Sequence, residues 1–105
     1  MRKEYSPGKI PFWVLSSRHY QVATSVLEEV NRLAINYNLT LLEDDAPFHT
    51  VVKLPNSEIF SVWCGGFDSH LEVCRLLESG EADPDFKEEG FSNPNEVITF
   101  LTRRS

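Results

Sequence analysis

The chain has 105 residues, of which 41% are apolar, with two cysteines and a formal net charge of −6. That length supports one domain with its own core, so folding requires neither a disulfide framework nor a structural metal. No apolar run approaches a membrane span, and the acidic balance disfavours direct contact with nucleic-acid phosphates.

Residues 1–9 read as a flexible lead-in, and residues 10–105 as a single α+β domain. Arg2 and Lys3 before IPFWVL resemble the start of a signal peptide. The apolar run is too short, however, and Pro7 and Pro11 interrupt the approach. Ile10 to Leu15 is apolar on both faces, the pattern of a strand covered on two sides.

Ser16 and Ser17 suit the cap of a long helix at about His19–Tyr37. Tyr20, Ala23, Val26, Leu27, Val30, Leu33, Ala34 and Tyr37 share one of its faces, and Ile35 falls outside. Asn36 and Asn38 end that helix. Leu39–Glu43 then reads as a short strand, and Asp44-Asp45-Ala46-Pro47 as a turn. Phe48–Leu54 and Glu58–Cys64 form a hairpin around Pro55, Asn56 and Ser57.

Gly65-Gly66 permits a sharp change of direction, and 3.6-residue spacing predicts a helix from about Asp68 to Ser79, stopped by Gly80. Phe67, His70, Leu71, Val73, Cys74, Leu76 and Leu77 would form its apolar side. The stretch EADPDFKEEGFS reads as an irregular acidic loop anchored by Phe86 or Phe91. Asn93-Pro94-Asn95-Glu96 supplies a capping box for a last helix whose apolar face is Val97, Ile98, Phe100 and Leu101.

The expected order is therefore β-α-β-β-β-α-α, a mostly antiparallel sheet with helices packed on it. Two helices share one face, and the C-terminal helix covers the other face or an edge. The central α-β-β-β-α is similar in order to a double-stranded RNA-binding domain. Such domains set a basic helix against phosphates, whereas the matching stretch here carries Asp68, Glu72 and Glu78 against Arg75 alone.

Two constellations suggest chemistry. His70 and Cys74, four residues apart on a helix, would point the same way, with Cys64 upstream and His49 on the neighbouring strand. Two thiolates and two imidazoles would satisfy tetrahedral zinc, although the spacing matches no standard zinc motif. Cys64, at a strand end before a helix N-terminus, also suits an activated thiol. A four-residue loop would place His49 opposite Cys64. A two-residue loop would place it opposite Val62, with Lys53 across from Glu58, and this register gives sensible partners at more positions. Core cysteines and backbone-bonded histidines account for the same residues, and no resident cofactor is expected. Cys64 and Cys74, separated by strand end and helix, would be too distant to bridge, so reduced thiols and a cytoplasmic location follow.

Weaker candidates are a hard-cation site at Glu43, Asp44 and Asp45 and an anion site at Ser16–His19, where turn and cap chemistry suffice. Charge is more telling. Residues 1–40 carry five basic and three acidic side chains, whereas residues 68–96 carry nine acidic and two basic. The carboxylates Glu78, Glu81, Asp83, Asp85, Glu88 and Glu89 are the expected partner-binding residues. They suit an inhibitor, immunity protein or adaptor that docks on a basic partner such as a nucleic-acid-handling protein. A homodimer through a sheet edge or the Ile35 face is a further expectation.

Overall fold

The computed structural model describes residues 18–42, 48–64 and 70–104. The expected lead-in, the strand at 10–15, the turn at 44–47 and the Gly65-Gly66 hinge lie outside them. Helix α1 (Arg18–Asn36) leads into strands β1 (Thr40–Leu42), β2 (His49–Lys53), β3 (Ile59–Cys64), β4 (Leu71–Leu76) and β5 (Glu89–Phe91). Helix α2 (Pro94–Arg104) follows. The strands form one antiparallel meander in sequence order, with β3 at its centre. The α+β class is as expected, but the order among the described residues is α-β-β-β-β-β-α.

Helix α1 buries Ala23, Leu27, Val30, Leu33 and Ala34, most of the expected stripe. Its end explains why Tyr37 leaves the stripe and is exposed. Asn38 takes φ 61°, Leu39 N–H donates to Ala34 O and Asn38 N–H to Ile35 O, which is a Schellman ending. Tyr37 is thus the cap residue, turned off the helix face, and Leu39 is buried in its place. Ile35 is exposed, as the periodicity predicts.

The main correction concerns residues 68–79, which the spacing assigned to a helix. Leu71–Leu76 is instead a strand paired with β3 over six positions, from Ile59↔Leu76 to Cys64↔Leu71. The apolar positions 71, 73, 74 and 76 satisfy both a strand and a helix, and short runs of this kind are not separated by periodicity. The unmet backbone groups on the far side of β3 decide the matter, because buried N–H and C=O groups must be paired. The comparison with a double-stranded RNA-binding domain ends here, since a strand stands where its last helix would be. Glu89–Phe91, expected as loop, adds the fifth strand on β4.

The hairpin adopts neither expected register. His49 pairs with Trp63 and Lys53 with Ile59, so the Lys53–Glu58 pairing does not form. The loop is Pro55-Asn56-Ser57, closed by Ser57 N–H to Leu54 O and Leu54 N–H to Glu58 O, with Ser57 at φ 74°. A turn followed by a left-handed residue is the standard three-residue hairpin. This one-residue difference exchanges the faces of β2: Thr50 and Val52 join Phe60 and Val62 toward the helices, and His49 and Val51 join Ser61 and Trp63 on the other side.

Both helices lie on the Phe60 face, not on opposite sides as expected for α2. Thr50 Oγ1 donates to Asn31 Oδ1 of α1 at 2.8 Å, and the Phe100 ring of α2 meets Phe60 edge-on at 5.9 Å. The two helices pack against each other, with Val97, Ile98 and Leu101 in the common core. The face away from the helices is also buried at Val51, Ser61, Trp63 and Cys74.

Because Ser57 holds a left-handed conformation that a Cβ branch disfavours, Ser57→Val should lower stability by about 1–2 kcal/mol. Ser57→Gly should cost nothing comparable, and urea unfolding of the two variants gives the contrast. Equal losses would show that the turn does not depend on this backbone angle.

Candidate functional site

The expected zinc ligands are not brought together. With residues 71–76 in a strand, His70 and Cys74 lose the one-turn relation on which the idea rested. Cys64 pairs with Leu71 on the helix side of the sheet, whereas Cys74 pairs with Ser61 on the other side. Both thiols are buried and form no disulfide, and Cys74 Sγ approaches its neighbour's Arg75 O at 3.6 Å. His49 is not beside Cys64. Its ring stacks on Trp63 at 4.9 Å, and its Nε2 is 2.7 Å from Ser61 Oγ. His70 is half exposed, 3.8 Å from Glu72 across an ion-pair contact. Its ring also crosses Gly90, where an added Cβ would come within 2.9 Å of His70 Cε1. No group of three or more His, Cys, Asp or Glu with metal-site geometry occurs among the described residues. Glu43, Asp44, Asp45, Ser16 and Ser17 lie outside the described residues.

The acidic segment divides into a structural part and a surface part. Asp83 is turned inward and buried, and its Oδ2 accepts from Arg75 Nη1 at 2.8 Å while Oδ1 accepts from Asp85 N–H at 2.9 Å. It is therefore a scaffold residue and not the partner contact expected. Glu78, Glu81, Asp85, Glu88 and Glu89 are exposed. Backbone hydrogen bonds hold the stretch from Leu77 to Phe86. Gly80, at φ 91°, donates to Leu77 O, Leu77 donates to Glu81 O, Asp83 donates to Arg75 O and Phe86 donates to Asp83 O. Ala82 bridges to Leu76, and the Phe86 ring meets Phe60 at 5.5 Å.

Arg75 links this segment to a second group of charges. Its Nε lies 3.0 Å from Glu58 Oε2, close enough for charge attraction though not aligned as a hydrogen bond. Arg104 Nη2 donates to the same oxygen at 2.8 Å, and Asn56 Nδ2 donates to Glu58 Oε1 and to Arg104 O. The Arg104 guanidinium lies over Phe60, Phe86 and Phe100 at 5.3, 5.5 and 5.8 Å from their centroids, a distance at which a cation is attracted to a ring face. Sequence reasoning missed this group, because its members lie far apart in the chain and none belongs to a motif.

Two depressions are relevant. One, of about 260 Å³, lies between α1 and the start of β2 and is lined by Thr24, Leu27, Glu28, Asn31, Leu42, His49 and Thr50. The other is a groove of about 720 Å³ beside α2, with Phe91 and Phe100 on its floor and Arg103 at one end. No helix among the described residues is long and apolar enough to cross a membrane.

Hydrogen bonds from Arg104 and Asn56 hold the Glu58 carboxyl below the usual carboxylate range, against an opposing effect of burial. A depressed carboxyl stabilises the fold fully above its unfolded value of about 4.3, and this contribution is lost as pH falls through the folded value. Glu58→Gln should therefore cost about 1–3 kcal/mol at neutral pH. It should also flatten the decline in stability below about pH 4.3. Chemical unfolding at pH 7 and pH 3 measures both effects, and a mutant deficit unchanged at pH 3 would place the cost outside ionisation.

Comparisons with protein-family models, with curated proteins and with solved structures returned no match.

Proposed function

We propose that the chain is a non-enzymatic protein-binding module of inhibitor, immunity or adaptor type, docking an acidic face on a basic protein partner. The observation that carries this reading is the exposure of Glu78, Glu81, Asp85, Glu88 and Glu89 on a backbone already fixed by the Arg75–Asp83 pair and the Phe86 anchor. A segment ordered before binding loses little conformational entropy when it docks, so more of the attraction remains as affinity. Like charges held on one surface also create a field that steers a basic partner into encounter. A nucleic-acid-handling protein is a fitting partner class, since its basic groove is built to meet regularly spaced negative charge.

The test is affinity capture from the native host at low and high salt, followed by titration of the captured partner. Binding should weaken about tenfold or more as salt screens the contact. A comparable loss should follow when Glu78, Glu81, Asp85 and Glu88 are changed to Gln or Asn, while Asp83 is kept to preserve the fold. Binding insensitive to both salt and neutralisation removes the reading.

A further inference from the structure

The groove beside α2 follows from how that helix is seated. Val97, Ile98 and Leu101 point into the core, so Glu96, Thr99, Phe100 and Arg103, spaced three and four apart, line the adjoining flank. That flank faces β5, the last strand in the sheet order. Between them the floor is Phe91 and Phe100, whose rings are 5.4 Å apart, and Asn93, Asn95 and Glu96 close the other end.

Three features specify an occupant. The groove meets the edge strand β5 at Phe91, where the outward backbone groups of an edge are available for pairing. The floor is aromatic and apolar. Arg103 is an exposed cation with no ion pair or side-chain hydrogen bond among the described residues, unlike Arg104, which Glu58 neutralises. The groove's volume of about 720 Å³ is in the range of ligand sites. Yet it lies open along its length, which suits a chain passing through it better than an enclosed small molecule.

We propose that this cleft takes an extended peptide segment of a partner protein, added as a strand on the outer edge of β5, which pairs with no further strand among the described residues. One apolar side chain rests on Phe91 and Phe100, and a carboxylate pairs with Arg103. Main-chain hydrogen bonds to the edge supply affinity, and the pocket and the cation supply selectivity. The cleft is largely preformed. The Asn93 side chain caps α2 through Glu96 N–H, and the Glu96 carboxylate accepts from Ser92 N–H, so the strand and the helix that form its walls are tied together at their junction. This reading is separable from the acidic face at Glu78, Glu81 and Asp85, which do not line the cleft, while Glu89 of β5 adjoins both surfaces.

The test is selection from a displayed library of random linear peptides on the full chain, then amide-resonance mapping and affinity measurement with a selected peptide. Enriched peptides should combine an apolar residue with a nearby carboxylate and shift the amides of Glu89–Phe91 and Thr99–Arg103. Thr99→Trp, which fills the groove, and Arg103→Glu, which reverses its charge, should each weaken binding about tenfold or more while leaving the unfolding midpoint unchanged. Proline at alternate peptide positions should abolish binding by removing strand donors. Neutralising Glu78, Glu81 and Asp85 should leave the affinity unaltered. No enrichment, shifts confined to other elements, or binding indifferent to both groove variants would overturn the proposal.

Discussion

The constraint on which the structure rests is that β3 must pair on both edges while both of its faces are removed from water. Phe60, Val62 and Cys64 are buried toward the helices, and Ser61 and Trp63 are buried on the other side. A strand in that position has no solvent to satisfy its backbone, so it needs a ladder on each flank. β2 supplies one and β4 the other. Once β4 is a strand, the chain returns at Leu77–Gly80, brings the acidic segment back past Leu76 and leaves β5 on the outer edge.

Much of the fold could be read from the residues alone. The α1 stripe, the hairpin strands and the Asn93–Glu96 cap each rest on interactions within a few residues, and all are present. Gly80 is instructive: its left-handed backbone was legible, but it closes a turn after a strand and not a helix. The errors arise where long-range pairing decides. Residues 71–76 fit either period, and only the need of β3 for a partner selects the strand. The hairpin register depended on whether Ser57 would take a positive φ, which serine seldom does.

The candidate site was legible in charge and not in geometry. That a segment carrying Glu78, Glu81, Asp85, Glu88 and Glu89 would be at the surface follows from composition. That Asp83 would turn inward does not, because it depends on Arg75 emerging opposite Phe60 on the neighbouring strand. The histidine and cysteine constellation failed for the same reason as the helix. Side-chain direction in a strand alternates with every residue, so Cys64 and Cys74 were separated by the sheet itself once the register was set.

The contact between Arg104 and Glu58 joins the end of α2 to the hairpin tip across 46 positions of sequence. Closing so long an interval has an entropic cost that grows with its length, and contacts of this range slow the passage to the native state. The hairpin at Pro55–Ser57 is local and should appear early, on the order of microseconds. Docking of α2 over Phe60 must await a platform of sheet to receive it. The aromatic cluster of Phe60, Phe86 and Phe100, which closes only when α2 is seated, would therefore be the last part of the interior to dry.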